Sequence, residues 1–218
     1  MTEKISDETR FFGKVTAGVT HDLQNIFAII KETGGLMEDI LLMNKGAELP
    51  FIEKFQKCLS TIKGQTVRGS ELTSSLNEFA HTPDHDEKDV DIFQTSHMII
   101  KLIHRKLKNC NITIHVDKPD VPATLKTSAV KFEIALLSAI DTLMSQLSSG
   151  SSMQITPEKS DQTVEVKIIC KDKSPDADLP NRIQVSEQWA CLQDTLKRIN
   201  GCATADKDTH GIILRFNT

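Results

Sequence analysis

The sequence predicts an α-helical hairpin that forms a dimeric four-helix bundle, followed by an α/β sandwich domain. Three observations carry this. Two long apolar stripes with steps of three or four residues run through the first 80 or so positions. The stretch "HTPDHDEKDVD" then breaks the pattern with Pro83 and clustered charge. Beyond it, helical and alternating segments are mixed. The expected boundaries are 1–82 for the hairpin, 83–91 for a linker and 92–218 for the sandwich domain.

The segment from Asp7 to Asn44 contains no proline, so nothing in it must break a helix. With about 100° per residue, Phe12, Val15, Ile26, Ile30, Thr33, Met37 and Ile40 all lie within about 60° of Val19. The breakers Gly46 and Pro50 follow in "NKGAELP". A second stripe reads Ile52, Phe55, Leu59, Ile62, Thr66, Gly69, Leu72, Leu76 and Phe79. Two helices alone cannot cover both stripes, and a homodimeric bundle is the economical solution. A monomer whose hairpin packs on its own C-terminal domain is the alternative.

In the second half, "IFQTSHMIIKLIHRKLK" reads as a helix and "NITIHVD" as a strand ended by Pro119 and Pro122. "SAVKFEIALLSAIDTLMSQLSS" is a second helix, closed by Gly150. "SMQITPEKSDQTVEVKIICKD" is a two-stranded hairpin. "SEQWACLQDTLKRINGC" is a third helix, with Gly201 at its end and Trp189 expected to pack it onto a sheet. "HGIILRFNT" is the last strand. The helices are expected on one face of the sheet.

Composition excludes several classes. The net charge is −4, from 26 basic and 30 acidic residues, which gives no reason to expect nucleic acid or an anionic membrane as partner. No apolar run approaches the ~20 residues of a membrane span, and "MTEKISDETR" is too polar for a signal peptide. The five cysteines are widely spaced without a CxxC pair, which argues against a disulfide framework and a zinc site. A reduced, cytoplasmic protein is expected. His81 and His85 have a spacing that could chelate a metal, but no further ligands accompany them, and a solvated linker is the simpler reading.

The stretch "VTHDLQNIFAII" carries the candidate chemistry. His21 falls about 200° from Val19, opposite the buried stripe. Ala17, Asn25, Ala28 and Glu32 share that outer face. Asp22 sits about 60° from Val19, at the border of the stripe. An exposed imidazole is either an ordinary solvated side chain or a nucleophile offered to a partner. A carboxylate such as Asp22 could accept the ring proton, or act on a group arriving beside the imidazole. The Asn25 amide could orient a water or a phosphoryl oxygen. Ala17, Gly18, Ala28 and Glu32 would form the surface that a partner approaches, with small side chains at three of the four positions. Lys14, Lys63 and Arg68 could assist a phosphoryl group, although ordinary solvated charge is the simpler reading of each.

"VTHDLQNIFAIIKETGGLMEDIL" resembles the H-box of sensor histidine kinases of the His-Asp-x-x-Asn kind. "RGSELTSSLNEFAH" resembles the end of the second helix of the same dimerisation and phosphotransfer domain. "VDIFQTSHMIIKLI", "NITIHV" and "FEIALLSAIDTLM" follow in family order, the last where the N-box of the nucleotide domain belongs. The resemblance covers nearly the whole chain. It implies a sandwich of the histidine kinase ATPase type, with His21 as phospho-acceptor and Asp22 as its acid/base partner. Asn25 would match the position that helps hydrolyse a receiver's phospho-aspartate.

The second domain departs from that family. An active kinase needs side-chain oxygens for Mg²⁺ and glycine-rich turns for the nucleotide. Ser138 and Thr142 stand where the N-box has asparagines. Asp141 is adjacent, but one residue rotates a helical side chain by about 100°. Asp172 is followed by Ser174 and Asp176 where Asp-x-Gly-x-Gly is expected, and "RIQVSEQWACLQDTLKRI" holds no glycine. The resemblance is therefore closest to kinase-fold histidine phosphotransferases. It implies no ATP and no cofactor in this chain, with Mg²⁺ supplied by the receiver. The implied partners are a second copy, response regulator receiver domains and an upstream hybrid kinase. An active kinase, a receiver phosphatase and a non-catalytic adaptor that docks response regulators stay open as alternatives.

Overall fold

The computed structural model describes residues 6–43, 52–171 and 178–217. The chain opens with the helical hairpin that the sequence predicts. Helix α1 spans Asp7–Met43 and α2 spans Ile52–Ala80. Ser6 caps α1, its hydroxyl accepting the Thr9 backbone N–H at 3.1 Å. Asp7 and Glu8 in the first turn suit the positive end of the helix dipole. No helix among the described residues is long and apolar enough to cross a membrane.

The stripe on α1 faces inward, with Val15, Val19 and Ile26 buried. Phe11 is more deeply buried than Phe12, and both rings pack against Phe79 of α2 with centroids 4.6–5.4 Å apart. On α2 the inward positions are Cys58, Leu72, Ser75 and Phe79. Leu59, which the stripe placed inside, is 54% exposed because Cys58 takes the inward place at that level. Burial weakens toward the loop end: Leu36, Leu41, Leu42 and Met43 are exposed apolar side chains.

A single turn of 3-10 helix at Thr82–Asp84 leads to the second domain. Strand β1 (Lys88–Asp91) lies within the segment expected to be linker. It pairs antiparallel with β3 (Thr124–Thr127), and neither strand is visible as a period in the sequence. Asp91 then caps α3 (Ile92–Leu102) through the Gln94 N–H at 3.0 Å. The single helix expected over this segment is two. It breaks at Ile103, and α4 (His104–Cys110) follows.

The remaining strands form one five-stranded sheet in the order β2-β4-β5-β7-β6. Here β2 is Thr113–Val116, β4 Ser152–Lys159, β5 Thr163–Cys170, β6 Gly201–Asp206 and β7 Gly211–Asn217. Only β2 and β4 are parallel. Burial alternates along β4, β5 and β7, as expected where one face meets helices. Helix α5 (Ala129–Met144) lies at the centre of the domain, with most of its side chains buried. Helix α7 (Glu187–Lys197) packs beside it, and the half-buried Trp189 joins the core as expected. The short α6 (Leu179–Gln184) was not expected from the sequence. Gly211 is required by packing: a Cβ there would sit 2.2 Å from the Ile168 carbonyl oxygen.

The two parts touch along α1 and α2, which pack on α3 and α5. At the junction, the Thr82 hydroxyl donates to Glu133 of α5 at 3.0 Å. Glu133 is 2% exposed, and burial pushes its carboxyl up to about 8. It is therefore protonated at neutral pH.

Candidate functional site

His21 lies on the exposed face of α1, as the helical wheel requires, and Asn25 one turn on is exposed too. The Asn25 amide donates to His21 Nδ1 at 3.1 Å. Arg105 of α4 also donates to Nδ1, from a position 84 residues along the chain. Nε2 has no hydrogen-bond partner among the described residues. The sequence-predicted pair of His21 and Asn25 is thus brought together, with a third member that the sequence reading did not include.

Asp22 behaves differently from the expectation. It turns inward and is 4% exposed. Its carboxylate lies 3.7 Å from Arg105 Nε and 4.0 Å from an Arg68 guanidinium nitrogen. Its carboxylate pairs with these cations and not with the imidazole, because adjacent helical side chains diverge by about 100°. Burial raises its pKa from the ordinary carboxylate value, while Arg68, His104 and Lys108 oppose that rise. Arg68, read from sequence as solvated charge, is therefore a partner of Asp22.

Ala17 and Gly18 line a groove beside His21. Its other wall comes from α3, α4 and α5, including Leu102, Arg105 and Lys106. A Cβ on Gly18 would meet no atom within 4 Å, so the space beside it is open. Ala28 and Glu32 are exposed further along α1 and do not line this groove.

The face of α5 where nucleotide contacts were sought is tied up by other partners. Asp141 binds Lys14 of α1 at 3.0 Å and also pairs with Lys106 of α4. Thr142 is fully buried, and its hydroxyl donates to the Ser138 carbonyl at 2.7 Å. Ser138 is half-buried. Asp172, Ser174 and Asp176 lie outside the described residues. Among the described residues, a metal ion would compete with two ammonium groups for Asp141, and the Thr142 hydroxyl is buried against its own helix. No cluster of three or more His, Cys, Asp or Glu side chains could hold a metal among the described residues. His81, one half of the suspected chelating pair, bonds Asp84 at 2.9 Å.

Sequence reasoning missed Arg105, Lys106 and the role of Lys14. The visible signal was "HRKLK", a dense run of cations on one short helix. Its target could not be read, since α4 reaches α1 only through the tertiary fold.

No protein-family model matches the chain, and no curated protein matches it. Among solved structures, the chain is similar to the histidine kinase AdeS of Acinetobacter baumannii. The identity is 14% and the TM-score 0.47, over 90% of this chain and 96% of that one. It is similar to the histidine kinase ThkA, solved in complex with the response regulator protein TrrA, at 15% identity and TM-score 0.47. That match covers 95% of this chain and 61% of the other. The mycobacterial sensor histidine kinase MprB matches at 12% identity and TM-score 0.46, over 60% of this chain and 97% of that one.

Proposed function

We propose that this protein is a histidine phosphotransferase of a two-component phosphorelay. It relays a phosphoryl group between the aspartates of receiver domains through His21, without using ATP. The observation that carries this reading is the state of His21. It is exposed on helix α1, and its Nε2 has no partner among the described residues. An exposed nitrogen can be reached by a group that another protein brings, and it becomes the nucleophile once the ring proton lies on Nδ1. The resemblance of "THDLQN" to the H-box supports the same assignment.

In this scheme His21 is the nucleophile, and Asn25 holds the ring. Asp22 acts through the arginines it binds, and the open space at Ala17 and Gly18 admits the receiver. Mg²⁺ comes with the receiver. The lysine-bound Asp141 supports the absence of ATP from the cycle. The exposed Leu36, Leu41, Leu42 and Met43 at the loop end support a second copy as partner, which would bury them in a four-helix bundle. The expected compartment is the cytoplasm, and an upstream hybrid kinase is the expected phosphoryl source.

The test is to mix the protein with a ³²P-labelled receiver and to look for acid-labile label on His21. Label on wild type and none on His21→Gln is the expected result. No transfer to wild type across a panel of phosphorylated receivers would sink the proposal. Calorimetry with Mg-ATP separates the kinase alternative, for which binding heat is required.

A further inference from the structure

Arg105 reaches His21 from the second domain. Its guanidinium meets Nδ1, and its Nε lies 3.7 Å from Asp22. Arginine carries donors only, so the atom it meets must accept. The Asn25 amide donates to the same nitrogen. In the neutral ring the proton is therefore left on Nε2.

We propose that Arg105 is a positioning residue that sets the proton on His21, holding it on Nε2 while α4 lies against α1. The consequence for chemistry rests on the phosphotransfer reading. Attack on a phospho-aspartate needs the Nε2 lone pair. That pair forms the N–P bond, and the P–O bond breaks with its electrons returning to the aspartate carboxylate. The ring proton must then sit on Nδ1, the position that Arg105 occupies. The reverse step obeys the same rule. Phosphohistidine leaves best as an imidazole protonated on Nδ1, and a cationic donor there withholds that proton. Arg105 thus slows loading and unloading alike.

The contact is anchored on both sides. Asp22 holds Arg105 directly, and the next residue, Lys106, shares Asp141 with Lys14. The charged and titratable groups around the site include Lys14 and Asp22 from α1, Arg68 and Glu71 from α2, Lys101 from α3, His104, Arg105, Lys106, Lys108 and Cys110 from α4, and Asp141 from α5. Acidic groups of a docking partner would compete with Asp22 for Arg105 and free the ring.

Nitrogen-15 NMR of the imidazoles in the full chain reads the tautomer directly, with His21→Gln assigning the signal. Wild type should show His21 protonated on Nε2. In Arg105→Ala the share protonated on Nδ1 should rise, because the Asn25 amide can turn to accept. A wild-type ring protonated on Nδ1, or a tautomer unchanged by Arg105→Ala, would overturn the inference. Phosphoramidate, a small phosphoryl donor, gives a second reading without any partner. Arg105→Ala should label His21 about ten-fold faster, the scale of one charge-assisted hydrogen bond, and Arg105→Lys should restore slow labelling. Equal or slower labelling of Arg105→Ala would also overturn it. If the alanine variant does not fold, the wild-type tautomer decides alone. Failure of receivers to label His21 would remove the phosphotransfer reading and leave the tautomer result standing.

Discussion

Two polar sites meet neighbouring residues of α4, and they end in opposite states. At the first, Arg105 contacts Nδ1 of His21 on α1, and Nε2 has no partner among the described residues. At the second, Lys106 joins Lys14 in binding Asp141 on α5. One short helix thus touches a site that stays open to another molecule and one that the chain closes for itself. The difference lies in charge. A carboxylate between two ammonium groups is satisfied by its own chain. An imidazole with one engaged nitrogen is not.

The largest effect should come from removing the open site. His21→Gln should abolish capture of phosphate from a labelled receiver, while circular dichroism stays unchanged, because an exposed side chain contributes little to folding. Retained transfer would move the chemistry away from α1.

The next effect separates two acids on α5. Asp141 is answered by cations, whereas Glu133 is held protonated by burial, with a carboxyl at about 8. In the unfolded chain Glu133 ionises near its ordinary value of 4.5. Between these values the unfolded state loses the proton that the folded state keeps. Stability should therefore fall as pH rises from about 4.5 to about 8, by on the order of 1 kcal/mol per pH unit from this group. Above that range the contribution is flat. Glu133→Gln should flatten the slope in a series of thermal melts, and an unchanged slope would place the titration elsewhere.

A smaller change should follow Asp22→Asn. Burial outweighs the attraction of the cations at this carboxylate, so a neutral amide should leave stability unchanged or raise it by less than about 1 kcal/mol. Urea titration reads this directly. Asp141→Asn should cost about 0.5–1 kcal/mol, because Lys14 is largely solvated and Lys106 partly so. If Asp22→Asn proved costlier than Asp141→Asn, the cations would outweigh burial at Asp22.

Much of this architecture could be read in the residues. The α1 stripe was legible because Val15, Val19 and Ile26 repeat at helical spacing and a buried face enforces that period. The outward direction of His21 followed from the same arithmetic. The four-residue strands β1 and β3 escaped notice because "KDVD" and "TLKT" are too short to show a period. The break at Ile103 was hidden inside an uninterrupted apolar run. In the site, the inward turn of Asp22 was half-visible as a border position. The reach of Arg105 was invisible, since no local pattern reports which helix a cation will meet.

Gly18 gives the geometry a further meaning. Glycine weakens a helix interior by about 1 kcal/mol relative to alanine, and among the described residues a Cβ at Gly18 would meet no atom within 4 Å. Internal packing does not require that residue to be small. A partner that fits against α1 would require it. Substituting a bulky residue such as Gly18→Leu should leave the fold intact and obstruct docking. Position 18 therefore offers a way to make the protein deaf to its partner while every bond around His21 stays as it is.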